Sequence, residues 1–228
     1  MIEYLVPANI DDRILTRAAR LLERGGLVGL PSDTSWAVVC SLASREGIKK
    51  LRKLSGERDE RHFTLLCSDI SQFGELCGMD NTRFRLIKRL SPGPYVFILN
   101  TLLGTEKALN LRRGEIGVRI PDHAVPLELI KALGSPLYSV TAKKSMRRDG
   151  GEEDRWEAPP DGEEEDRPGL PPIAEEELFE GGWELEDIEG LDLILDTGDE
   201  RPRIFSTILD LTGDEVLPLR LGSGSWPA

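Results

Sequence analysis

A chain of 228 residues that is 39% hydrophobic has the apolar mass for a sizeable core, which excludes a tail-like or wholly disordered polypeptide. No apolar run reaches the roughly 20 residues that span a bilayer, and the start MIEYLVPANIDDR lacks the basic and apolar regions of a secretory signal, so a soluble, cytoplasmic protein with no membrane partner is expected. The net charge of −12 is uneven: residues 149–190 hold 18 Asp/Glu against Arg155 and Arg167, and the remainder carries 27 basic and 23 acidic side chains.

In chain order, Asp11 or Asp12 is placed to cap a helix. Its apolar positions Ile14, Leu15, Ala18, Leu21 and Leu22 recur at helical spacing until Gly25-Gly26 ends it. A strand follows over Leu27–Leu30, and then Pro31-Ser32-Asp33-Thr34 interrupts an apolar run. A plain core strand avoids such a tetrad, so the chain is read as entering a sheet, breaking and re-entering, with backbone and hydroxyl groups left at a cleft mouth. Ser44 opens a basic helix with Arg45, Lys49, Lys50, Arg52 and Lys53; FTLLC reads as a short buried strand. A second basic amphipathic helix, with Arg83, Arg85, Lys88 and Arg89, runs over Asn81–Leu90 and stops at SPGP before the strand YVFILN. EIGVRIP, a helix near Val125–Leu133, and PLYSVTA come next, and LDLILD and STILDL follow further on. Interleaved strands and helices of this kind predict an α/β (α+β) domain, a mixed central sheet flanked by helices. Between PLYSVTA and LDLILD, residues 147–174 are rich in Gly, Pro and acid, and read as an acidic, mobile insert interrupting a single domain over 1–228.

The chemistry-bearing side chains cluster at strand ends: Thr34, Arg119, Ser139-x-Thr141, Ser206-Thr207 and Arg220. Guanidinium groups suit bidentate capture of phosphate or carboxylate, and hydroxyls suit phosphate oxygens. Neither GxxxxGK[ST] nor GxGxxG occurs, so the two commonest phosphate-binding signatures are excluded. Cys40, Cys67 and Cys77 lack CxxC spacing and have only His62 and His123 beside them. They are read as buried thiols in a reducing compartment, with no metal site.

The ordered set PSDTSW, a basic helix, SPGPYVFIL, IGVRIP, an Ser139-x-Thr141 strand end and a closing STILDL…LR resembles the YrdC/YciO family of threonylcarbamoyl-AMP synthases. HFTLLC and DNTRFRLIKRLSPGPYVFIL bring it nearest to the YciO-like branch. The resemblance implies a YrdC-like domain and an L-threonylcarbamoyladenylate synthase, a nucleotidyltransferase. Such an enzyme joins threonine, bicarbonate and ATP with Mg²⁺, in service of N6-threonylcarbamoyladenosine formation in tRNA. No acid–base residue is implied, because a carbamate is itself a nucleophile and the protein orients it and stabilises charge. Carried over by motif position, Thr34, Trp36 (at the usual tyrosine position) and Arg119 would bind threonine. Arg52, Lys53, Ser139, Thr141, Lys143, Ser206 and Arg220 would line the ATP side.

Two positions depart from the synthase pattern. Its KxR pair falls on Arg52 and Leu54, leaving Lys53, Arg58 and Arg61 as substitutes, and its SxN becomes Thr141-Ala142-Lys143. The alternative reading is a double-stranded RNA or tRNA-binding family member with weak or no synthase activity, contacting phosphates through Arg45, Lys49, Lys50, Arg83, Arg85, Lys88 and Arg89. A third is a related nucleotide-dependent carbamoyl transferase. Downstream tRNA-modification proteins are the implied protein partners.

Overall fold

The structure, a computed structural model, describes residues 1–56, 63–103, 114–147 and 174–226. Arg58, Arg61, His62 and nearly all of the predicted insert lie outside the described residues.

Ten strands form one mixed sheet in the order β1-β8-β2-β3-β7-β4-β6-β5-β9-β10. They are β1 Ile2–Tyr4, β2 Val28–Leu30, β3 Ala37–Ser41, β4 Thr64–Leu66, β5 Tyr95–Asn100, β6 Glu115–Arg119, β7 Leu137–Thr141, β8 Leu193–Asp196, β9 Thr207–Asp210 and β10 Leu217–Arg220. Among the described residues five α-helices flank it: α1 Asp12–Glu23, α2 Arg45–Ser55, α3 Ile70–Leu76, α4 Asn81–Leu90 and α5 Ala124–Leu133. The predicted α/β class and the strands and helices named above are therefore present. The three-residue β1, the seven-residue α3 and the four-residue, half-exposed β10 were not legible, each being too short to set up a period.

Local chemistry explains the helix starts. Asp11, Ser44, Asp69 and Asp80 each accept a backbone N–H of the first turn, and His123 does the same through Nδ1 for α5. Hydrogen bonds from its cap hold the Asp80 carboxyl below the ordinary range, the backbone N–H of Arg83 contributing most. Glycine in the left-handed region stops α2 at Gly56 and α5 at Gly134.

The two-residue side-chain period divides the core. One face, with Val38, Cys40, Leu65, Phe97, Val118 and Leu209, packs under α2, α3 and α4 through Ile48, Leu51, Phe73 and Ile87. On the other face Val28, Leu30, Val39, Leu137, Leu193 and Leu195 pack under α1 and α5. All three cysteines are free thiols on the first side, and burial raises Cys40 and Cys77 to about 12. Among the described residues no helix is long and apolar enough to cross a membrane.

Candidate functional site

The Pro31–Thr34 tetrad is part of the connection between antiparallel strands β2 and β3, whose ladder closes at Leu30 opposite Ala37. Beside this turn, none of the described helices covers the face that elsewhere packs under α1 and α5. What it exposes there is an open cleft. Thr34, Trp36, Arg119, Ser139, Thr141, Lys143, Ser206 and Arg220 all line it. Residues as far apart in sequence as Thr34 and Arg220 thus meet at one place.

The alternation along single strands builds the change of surface. On β7, Leu137 is buried in the helix-covered cluster, while Ser139 and Thr141, two and four residues on, face the cleft. Ser139 Oγ donates to the Thr64 carbonyl at 2.7 Å, tying β7 to β4. Val96 and Ile98 of β5 and Ile208 of β9 supply an apolar floor. Gly117 lies between them: a Cβ there would come within 3.1 Å of Val96 Cγ1 and 3.3 Å of Thr64 Oγ1.

Arg119, at the end of β6, is the hub. Its Nε donates to the Gly93 carbonyl (3.2 Å), Nη1 to Thr34 Oγ1 (3.0 Å) and Nη2 to Asp33 Oδ1 (2.6 Å). Both charged side chains are largely buried. Burial pulls the Arg119 guanidinium down, opposed by the Asp33 carboxylate. Three of five N–H groups are thereby used, leaving two. The SPGP loop, read above only as a stop, supplies the Gly93 acceptor. Asp33 Oδ2 is buried and takes no hydrogen bond.

The tetrad's hydroxyls can be assigned by proton count. Ser32 Oγ donates its single proton to the Ser35 carbonyl at 2.7 Å, so Thr34 is the donor across the 3.1 Å contact between the two hydroxyls. Thr34 therefore presents an acceptor lone pair to the cleft, not a proton. Trp36 is fully buried with its indole N–H on the Glu180 carbonyl at 3.0 Å, which makes it a wall with no free polar group.

Arg220 reaches the cleft through a register shift. In β10, Pro218 pairs with Leu209 and Arg220 with Ile208, with a bulge between them. In a regular strand Arg220 would share Pro218's face, the one turned towards α4; the extra residue rotates it to Ile208's face and the cleft. Its Nε and Nη2 donate to the Ser206 carbonyl (3.2 and 3.0 Å), and its guanidinium carbon lies 5.0 Å from the centre of the Phe205 ring. Burial lowers Arg220 to about 10, and repulsion from Arg119 adds to that. It stays protonated at neutral pH, so two like charges are held in one desolvated cleft. An anion between them would relieve the repulsion.

The remaining expected residues fall elsewhere. Arg52 and Lys53 are not part of the cleft lining. Their helix α2 packs against the opposite face, with Gly47 against Cys40. On that same layer Arg45, Lys49, Lys50, Arg85, Lys88 and Arg89 are exposed. Arg83 is instead a clip: it pairs with Asp80, and its Nε donates to the Leu211 carbonyl at 2.7 Å. Thr64, Val96, Ile98, Phe205 and Ile208 line the cleft but were absent from the sequence expectation. Thr64 alone carried a signal, a hydroxyl inside a buried strand.

Comparison with known proteins follows this geometry. Residues 20–151 match the profile of the Sua5/YciO/YrdC family, described as "Telomere recombination". The chain is 33% identical over 137 residues to an uncharacterized protein of Haemophilus influenzae, covering 60% of this chain and 66% of that one. It is 28% identical over 131 residues to mouse threonylcarbamoyl-AMP synthase, covering 58% of this chain and 46% of the mouse protein. The chain thus spans about two thirds of the bacterial relative and less than half of the mouse one. The crystal structure of Escherichia coli YciO superimposes with a TM-score of 0.77 at 25% identity, covering 100% of this chain and 98% of that one. Sua5 of P. abyssi complexed with L-threonine gives 0.75 at 21% identity, covering 97% and 57%.

Proposed function

The chain belongs to the Sua5/YciO/YrdC family, and on that premise we propose that it is an L-threonylcarbamoyladenylate synthase, joining threonine, bicarbonate and ATP into threonylcarbamoyl-AMP for tRNA modification. The observation that carries the reading is the pairing of Arg119 and Arg220 across a hydroxyl-lined cleft. Two desolvated guanidinium groups, only one of them paired with a carboxylate, suit a ligand bearing a carboxylate and phosphates. The L-threonine complex of P. abyssi Sua5, whose fold this chain shares, supports threonine as one ligand.

In this reading Thr34, Trp36 and Arg119 hold threonine, with the Thr34 lone pair accepting from the substrate and the spare N–H groups of Arg119 binding its carboxylate. Ser139, Thr141, Lys143, Ser206 and Arg220 take the nucleotide side. The carbamate oxygen bonds to the α-phosphorus as the bond to the pyrophosphate oxygen breaks. Charge moves toward the leaving group, and Arg220 and Lys143 stabilise it. Among the described residues no cluster of three or more His, Cys, Asp or Glu could cage a metal. Mg²⁺ would be carried by the ATP phosphates and would offset their charge. Incubating the protein with ATP, Mg²⁺, bicarbonate and threonine should yield threonylcarbamoyl-AMP and pyrophosphate by mass spectrometry. Absence of both at high enzyme concentration rejects the reading.

A second reading is favoured by one observation, the exposed basic groups of α2 and α4 on a single layer. They suit a double-stranded RNA or tRNA backbone. The test is duplex binding at two salt concentrations, where affinity should fall steeply with salt. Salt-independent binding contradicts it.

A further inference from the structure

The segment after β7 and the segment before β8 clasp each other through two single bridges, Lys143 with Leu178 and Arg147 with Ile188. Between these bridges lies a buried carboxylate that the reaction does not use. Glu184 is 9% exposed. Its Oε1 accepts the backbone N–H groups of Glu180 (2.8 Å) and Gly181 (3.1 Å). Arg147 approaches it from the other side: Nη2 donates to the Glu184 carbonyl at 3.0 Å and lies 3.4 Å from Oε2, while its guanidinium carbon stacks 4.8 Å from the centre of the buried Phe179 ring.

The peptide that Glu184 grips is the one that holds the cleft wall. The Glu180 carbonyl accepts both the Arg201 N–H (2.7 Å) and the Trp36 indole N–H (3.0 Å). Two residues on, Gly182 touches the same ring so closely that an added Cβ would lie 2.7 Å from Trp36 Cη2. A charged acceptor with two backbone donors is roughly twice as strong as a neutral one, enough to fix a loop that has no regular ladder of its own.

We propose that Glu184 is a positioning residue for the substrate cleft: it clamps the 180–182 backbone, which in turn fixes Trp36 as the wall beside Thr34. The consequence for threonine rests on the synthase reading above; the consequence for Trp36 does not. Glu184→Gln keeps an oxygen acceptor and loses the charge, whereas Glu184→Ala loses both.

The test compares hydrogen exchange of the Trp36 indole N–H, assigned by its loss in Trp36→Phe, with L-threonine affinity by calorimetry. Glu184→Ala should speed indole exchange at least tenfold and weaken threonine about tenfold, and Glu184→Gln should restore both to within about threefold. Should Glu184→Ala not fold, Glu184→Asp keeps the charge but draws it back from the Glu180 and Gly181 N–H groups, and should speed indole exchange and weaken threonine. Unchanged indole exchange in a folded Glu184→Ala overturns the proposal, as does faster exchange with undiminished threonine affinity. If the wild type binds no threonine while indole exchange responds as expected, the clamp stands and the synthase reading fails.

Discussion

Two halves of one sheet face make different surfaces from the same alternation. Under α1 and α5, the inward positions are Val28, Leu30, Val39, Leu137, Leu193 and Leu195, an apolar layer closed by helix side chains. Further along β7, and on its neighbours β4 and β6, the positions on this face become Ser139, Thr141, Thr64 and Arg119, with none of the described helices above them. Leu66 belongs to both and marks the boundary. The functional groups therefore stand on the sheet itself, at positions that none of the described helices covers. Rigid strands then hold the cleft's geometry, which suits a reaction that depends on orientation.

Substitutions on either side of this boundary should have separable effects. The largest is expected from Arg119→Met, which leaves Asp33 as a buried, unpaired carboxylate. A loss of about 3–5 kcal/mol in chemical denaturation is expected, together with no detectable product. Unaltered stability would mean that the Arg119–Asp33 pair is not the hub described.

On the covered side, Leu137→Ala should cost about 2–5 kcal/mol of stability. Its threonine affinity should stay unchanged at a temperature where the variant is folded. Equal damage to binding would erase the distinction between the halves.

Removing Leu219 should abolish the β10 bulge while leaving Arg220 directly after Pro218, and so still on Ile208's face towards the cleft. Nucleotide affinity should therefore stay near that of the wild type, whereas Arg220→Ala should lose it, with a stability change of about 1 kcal/mol or less in either variant, as for other exposed-edge changes. A deletion that binds as poorly as Arg220→Ala would show that register does not aim Arg220.

The smallest effect concerns His123, the cap of α5 on the covered side. Burial, with Arg201 nearby, lowers its pKa below the ordinary 6.5, against the pull of Asp33, Asp122 and Asp199. The unfolded chain then binds a proton more readily than the folded one. The His123 contribution is complete above pH 6.5 and is lost as pH falls through that value towards the folded one. His123→Asn keeps a capping acceptor and should flatten this limb of the stability curve. An identical limb in the variant would assign it to other groups.

Much of the fold was legible because its signals are local. Caps at Asp11 and Ser44, the period of Ile14 to Leu22, and the apolar runs YVFILN and LDLILD each act within a few residues. The tetrad was legible as a break for the same reason. Its partner was not. That Arg119 donates to Thr34, 85 positions away, depends on the sheet order bringing β6 near the β2–β3 turn. The placement of Arg52 on the far face was hidden because a charged residue on a helix gives no sign of which side of a sheet the helix will cover.

The sequence by itself determined the class of fold, the longer helices and the residue types available for anion binding, since propensity, capping and side-chain period are properties of short stretches. Only the tertiary structure decided which hydroxyls and guanidinium groups share one cleft, where a proton is already committed between Ser32 and Thr34, and how a single bulged residue turns Arg220 inward. Strand order and register are set by contacts between segments far apart in the chain, and no local pattern encodes them.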